Sequence, residues 1–165
     1  MNLSENQLAL IDSTAFDGLT HLTTLDLSSN KLKQIHSSTF ASLSSLEVLN
    51  LSSNSLTSLS SDLLSACSRL KELRLTDNQL GSLDSSTFSV HRSLQILYLD
   101  NNKIGSIQKK LFDGLASLQE LRLSQNQIVT LDSYTFSSLA DLHTLTIDKN
   151  RLASIASNAF DDLSK

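Results

Sequence analysis

The chain contains no proline and no tryptophan, and its single cysteine, Cys67, has no partner for an intrachain disulfide. One cysteine also leaves no cysteine-based metal cluster. No apolar run approaches the length of a membrane span, so this segment is not expected to insert into a bilayer. Charge is sparse and mixed, with 13 Lys+Arg against 17 Asp+Glu and a net charge of −4. Such a balance lacks the basic stripe of a nucleic-acid binder, and nucleic acid is not an expected partner. The first residues, MNLSENQLALID, show no charged-then-apolar leader pattern and enter directly into regular sequence. They fit either a cytosolic protein or a segment of a longer chain.

What the chain has instead is repetition. The stretch Leu70–Ser93, LKELRLTDNQLGSLDSSTFSVHRS, recurs immediately after itself as LQILYLDNNKIGSIQKKLFDGLAS (Leu94–Ser117) and immediately before as LEVLNLSSNSLTSLSSDLLSACSR (Leu46–Arg69). Six full copies begin at Leu22, Leu46, Leu70, Leu94, Leu118 and Leu142, after a partial copy at the N-terminus. Asn6, Asn30, Asn54, Asn78, Asn102, Asn126 and Asn150 keep the 24-residue register without a slip. No linker or low-complexity tract interrupts the pattern, so residues 1–165 are read as one domain.

Each part of the unit has a physical reason. In L-x-L both leucines face one side and the residue between them faces the other, as in a short strand. A coil that returns once per period stacks these strands into a parallel sheet, whose inward side chains form a core that no single copy could bury alone. The Asn turns the chain out of the sheet, because its amide both donates and accepts and can satisfy buried backbone groups in the bend. The second Leu pair and the Phe fill the far side. Phe16, Phe40, Phe88, Phe112, Phe136 and Phe160 are all the phenylalanines present, at one repeat position, and only Leu64 departs from it. That column is a packing spine. Cys67 stands in a slot otherwise mostly Leu and is read as a small buried hydrophobe. Polar stretches such as HSST, DSST and DSYT suit turns and short irregular or 3₁₀ segments.

The motif L-x-x-L-x-L-x-x-N-x-L, followed by Phe at this period, resembles the leucine-rich repeat proteins. The resemblance is nearest to the typical class of animal extracellular proteins such as Toll-type receptors, Slit and the variable lymphocyte receptors. It covers essentially the whole chain. It implies an α/β-class leucine-rich-repeat solenoid, a horseshoe with the parallel sheet on its concave face and a mostly irregular or 3₁₀ convex side. It also implies a recognition role outside the cell or at its surface, whereas the absence of a leader and of disulfides leaves the cytoplasm open. Extracellular members carry Cys-rich caps and often Pro after the second Leu pair, where this chain has His36, Ser60, Asp84, Gln108, Asp132 and Ala156.

In such a strand the residues flanking the core leucines point out from the concave sheet. The central copies display Glu72, Arg74, Ile96, Tyr98, Asp100, Glu120 and Arg122 there. Arg and Tyr combine buried area with directional bonding and dominate binding hot spots. Strands about 4.8 Å apart would seat Tyr98 between Arg74 and Arg122. These seven residues are the expected contact set for a protein ligand, with a glycan as the alternative; arginine packed on tyrosine is also a common self-satisfied contact. Asn50 and Asn2 fit the N-glycosylation acceptor pattern.

His21, His36, His91 and His143 occupy four different repeat positions, and no nucleophile, base and orienting group converge. No enzyme activity, cofactor or metal is expected. His91, in the slot of Cys67, is read as a partly buried filler. A second functional class is assembly: Leu152, Ile155, Phe160 and Leu163 have no following coil, and an open sheet edge at residues 142–147 would favour a homodimer through the terminal repeats.

Overall fold

The computed structural model describes residues 1–161 and 163; Asp162, Ser164 and Lys165, at the end of the sixth full repeat, lie outside the described residues. Six short strands form a parallel sheet in chain order: β1 (Thr24–Asp26), β2 (Val48–Asn50), β3 (Glu72–Arg74), β4 (Ile96–Tyr98), β5 (Glu120–Arg122) and β7 (Thr144–Thr146). A bridge from Asn2 to Asp26 adds the partial first copy. Every pairing joins residues one repeat apart, as in Leu49↔Leu73 and Leu97↔Leu121. Along each strand the central Leu is inside and its neighbours face out, so the repeat period and the strand alternation act together to build columns.

Each coil leaves the sheet through a fixed bend. The residue before the repeat Asn is left-handed in every coil: Glu5, Ser29, Ser53, Asp77, Asn101, Gln125 and Lys149 have φ between 50° and 56°. None is glycine, so the bend is sustained by its surroundings. The next residue supplies them. Asn102 Nδ2 donates to the Leu75 carbonyl of the preceding coil at 3.0 Å and to Leu99 and Asp100 of its own coil, while its Oδ1 accepts the Leu80 N–H at 3.0 Å. Asn54, Asn78, Asn126 and Asn150 repeat this set on their own neighbours. The column therefore laces coil to coil as well as closing each bend, and it satisfies backbone groups that water cannot reach.

The convex side is a run of tight turns closed by N–H to carbonyl bonds three residues back, such as Leu115 to Phe112 and Leu118 to Leu115, and no helix forms among the described residues. A second, two-stranded parallel sheet lies outside the main one: β6 (Thr130–Leu131) pairs with β8 (Ser154–Ile155). Phe40, Phe88, Phe112 and Phe136 are fully buried, and Phe112–Phe136 and Phe136–Phe160 stack at 5.9 and 5.8 Å. That step exceeds the roughly 4.8 Å between paired strands, so the coils fan outward on the Phe side and the sheet lines the concave face.

The spine changes at the third copy. Leu64, smaller than Phe, sits between Phe40 and Phe88, and the adjoining slot carries Cys67 and His91 instead of Leu. Both bond the carbonyl at the Phe position of the preceding coil: Cys67 Sγ lies 3.9 Å from the Phe40 oxygen, and His91 Nε2 lies 3.2 Å from the Leu64 oxygen. Burial pushes the Cys67 thiol up to about 11, so it behaves as an inert core group. His91 is buried completely rather than partly as expected, packed edge-on against Phe88, and its Nδ1 has no partner among the described residues. Because the Leu64 carbonyl can only accept, Nε2 carries the proton of this bond, and burial disfavours a second proton on the ring.

Phe112→Ala should cost about 3–5 kcal/mol in denaturant unfolding, because the cavity opens in mid-spine. Burial holds folded His91 below its ordinary value of 6.5, so the unfolded chain binds this proton first. Its share of stability is intact above that value, is lost as pH falls below it, and levels once the folded ring also titrates. Melting curves between about pH 8 and pH 5 should fall more steeply for the wild type than for His91→Leu; parallel curves would contradict a neutral buried ring.

Candidate functional site

The strand register sets the concave site. Arg74, Tyr98 and Arg122 are cross-strand neighbours on β3, β4 and β5. The Arg122 guanidinium lies 4.4 Å from the centre of the Tyr98 ring and that of Arg74 lies 5.8 Å away, so the ring is flanked by two cations within the range of cation–π attraction. Two positions earlier on the same strands, Glu72, Ile96 and Glu120 form a parallel row. Arg74 Nε bonds Glu72, and Arg122 bonds Glu120 through Nε at 2.7 Å and Nη2 at 2.6 Å. Glu120 also accepts the Tyr98 hydroxyl proton at 3.2 Å. Glu120 thus ties the ring and one arginine into a single unit.

These pairs do not exhaust the arginines. Their side chains are 47% and 45% exposed, and each guanidinium carries five N–H donors in a planar fork. Arg74 commits only Nε to Glu72. The remaining donors face the concave space, ready for carboxylate or carbonyl groups of a ligand. Desolvation raises the Tyr98 phenol above its ordinary value, with the Glu120 charge adding to it, so the hydroxyl remains a donor.

Asp100 extends the site toward the next coil. Burial raises its carboxyl, against the Ser124 N–H that it accepts at 3.0 Å and the nearby Arg122 charge. Ser124 Oγ bonds Asp148 on the coil beyond. A concave recess of about 340 Å³ opens here, lined by Asp100, Glu120, Arg122, Ser124, Thr144 and Asp148. Ser124, Thr144 and Asp148 were outside the expected contact set. They share its columns, but short polar side chains alone carry no sign of a recess. All seven expected residues do fall on the one face, with Ile96 half-buried among them.

Toward the N-terminus the face is closed on itself. Asp26 is pulled up by burial but held below the usual carboxylate range by Ser28 and by the Asn50 amide. Asn50 is half-buried, with Nδ2 donating to Asp26 at 3.3 Å and Oδ1 accepting the Ser52 N–H. Asn2 is exposed, its Oδ1 accepting the Ser4 N–H. Of the two glycosylation candidates, Asn2 has the freer amide. No group of three or more His, Cys, Asp or Glu among the described residues could hold a metal ion, and no described helix is long and apolar enough to cross a membrane.

With this geometry in view, likeness to known proteins becomes specific. The family model for the leucine rich repeat matches residues 1–32, 20–80, 68–128, 92–152 and 117–165. Among solved structures, TLR13 in its complex with ssRNA13 superposes with a TM-score of 0.91 at 34% identity, over 96% of this chain and 22% of that one. Toll in the Drosophila Toll–Spatzle complex gives 0.74 at 26% identity, over 92% of this chain and 25% of that one. Its glycosylated form gives 0.75 at 28% identity with the same coverage. No curated protein matches in a sequence search. The chain spans about a quarter of the length of the solved chains it resembles. One of those chains is in complex with single-stranded RNA, so the charge argument against nucleic acid does not stand as an exclusion for this fold. Family-model matches from end to end and the in-register solenoid agree: the chain belongs to the leucine-rich repeat family.

Proposed function

We propose that this chain is a non-catalytic recognition module that binds a protein ligand on its concave face, centred on Arg74, Tyr98 and Arg122. The observation that carries this reading is the Arg–Tyr–Arg row, an aromatic ring held between two half-exposed guanidiniums with open donors. Glu72 and Glu120 hold the arginines in place, which lowers the ordering cost when a partner arrives. Exposed ion pairs of this kind add little stability, so their arrangement contributes more to recognition than to folding. Toll in its complex with Spatzle is the precedent among similar chains for a protein partner. By the same likeness we assign the chain to an extracellular or endosomal-lumen setting.

Single-stranded RNA is the second reading, motivated by the TLR13 complex. Against it stands the balance of charge on this face, where Glu72, Asp100, Glu120 and Asp148 accompany only two arginines. Assembly through the terminal repeats, a different functional class, is the third.

Affinity capture with mass spectrometry tests these readings, comparing wild type with the folded triple variant Arg74→Ala/Tyr98→Ala/Arg122→Ala. The expected result is a protein retained by wild type and lost from the variant, with Tyr98→Ala alone weakening binding about tenfold or more. Unchanged capture by the triple variant would remove the concave site. Binding of single-stranded RNA that falls steeply with salt and is lost in the same variant would favour the nucleic-acid reading. Light scattering should return the monomer mass at every concentration; a rising mass would favour assembly.

A further inference from the structure

The convex turns are not all alike. In the first four coils, the N–H at one fixed turn position is capped from two residues earlier. Thr14 N–H donates to Asp12 at 2.9 Å, Ser38 to His36 at 3.3 Å, Asp62 to Ser60 at 3.4 Å and Ser86 to Asp84 at 2.8 Å. The next two coils break the pattern at the same place. Lys110 and Tyr134, one repeat apart, are left-handed, with φ of 69° and 62°. Both are the third residue of a turn closed by the N–H of the fourth, Leu111 to Gln108 and Thr135 to Asp132. A left-handed third residue belongs to the turn type that prefers glycine there, so two large side chains are held in an unfavourable conformation side by side.

The consequence is a change in where the backbone donor points. Tyr134 N–H now reaches across to the next coil and donates to the Asn158 carbonyl at 2.9 Å. Lys110 is left-handed in the same way one coil earlier, and no carbonyl among the described residues takes its N–H. Between the two turns lies a cleft of about 260 Å³, lined by Ile107, Lys109, Lys110, Asp132, Ser133 and Tyr134. The Tyr134 ring is 55% exposed, and neither lysine is in an ion pair among the described residues. Thr135 Oγ1 fastens the Asp132 carbonyl at 2.7 Å and Ser137 Oγ fastens that of Tyr134 at 3.0 Å, so the far wall is pinned.

We infer that this convex cleft is a second ligand site, which takes a phosphate or sulfate monoester group carried on a sugar-sized ring. An open backbone N–H, two ammonium groups and the Ser133 hydroxyl supply donors for an oxyanion. The exposed Tyr134 ring supplies a flat apolar surface for the face of the attached ring. The cleft is smaller than the usual pocket of a drug-sized molecule, which limits the ligand to one substituted ring. Asp132 opposes the anion and sets the affinity low. The site stands on the opposite side from Arg74, Tyr98 and Arg122, so the fate of the concave reading does not decide it.

Amide chemical shifts of the full ¹⁵N-labelled chain test the site directly, at constant ionic strength, with glucose 6-phosphate, glucose 6-sulfate, glucose and sodium sulfate as probes. One or both esters should give saturable shifts at Lys110, Ser133 and Tyr134. Glucose should give none, and inorganic sulfate should bind about tenfold more weakly. Lys110→Gly keeps the turn, because glycine accepts the left-handed conformation, and should raise the melting temperature while weakening ester binding at least about fivefold. Lys109→Gln should weaken it likewise, and Asp132→Asn should tighten it. The absence of saturable shifts at Lys110, equal binding of inorganic sulfate, or undiminished affinity in both lysine variants would each overturn the site.

Discussion

The structure depends on one repeated interaction, the bond from an asparagine amide to the coil before it. An Asn at this position donates to a carbonyl 27 residues back and accepts an N–H 22 residues back, as Asn78 does with Leu51 and Leu56. These two bonds place each bend on top of its predecessor. The strand bonds, the leucine columns and the Phe stack then all follow at the same pitch. Leucine burial supplies most of the free energy, but burial is non-directional and would tolerate other stackings. The amide ladder selects this one.

A fixed pitch turns single residues into columns, and columns make surfaces. Because Tyr98 is one repeat from Arg74 and one from Arg122, the three meet without any loop having to bring them together. Binding features on such a scaffold are written by substitution at outward positions, while inward positions hold the geometry. The convex turns sit outside the ladder, so coils five and six can exchange a capped turn for a left-handed one without disturbing the sheet. Both surfaces therefore vary independently of the core and of each other.

Much of this was legible in the sequence, for a physical reason. Period, core leucines, the asparagine column and the Phe spine are set by burial and by backbone satisfaction, which restrict residue type strongly. Where residue type is weakly restricted, the sequence is silent. The left-handed residue of each bend is Glu5, Ser29, Asp77 or Lys149 with equal ease, because the ladder imposes the conformation and the residue itself is exposed. The pairing of β6 with β8 arises from backbone alignment at Thr130 and Ser154, which no side chain announces. His91 is buried in full because its slot is a leucine slot, and only the Leu64 carbonyl makes that tolerable. On the concave face the seven expected residues were visible as the large members of outward columns. The double use of Glu120 and the recess beside Ser124, Thr144 and Asp148 emerge only in the folded chain.

Native-state hydrogen exchange at the amides of Leu56, Leu80 and Ile104 tests the ladder most directly, since each donates to the Asn side chain of the following coil. If the ladder sets the coil pitch, these amides open only when the sheet opens. Their opening free energies and denaturant dependence should then match those of the strand-linking amides of Leu75 and Leu99. Faster exchange that is insensitive to denaturant, with Leu75 and Leu99 still protected, would show the asparagines to be local caps and would contradict the account.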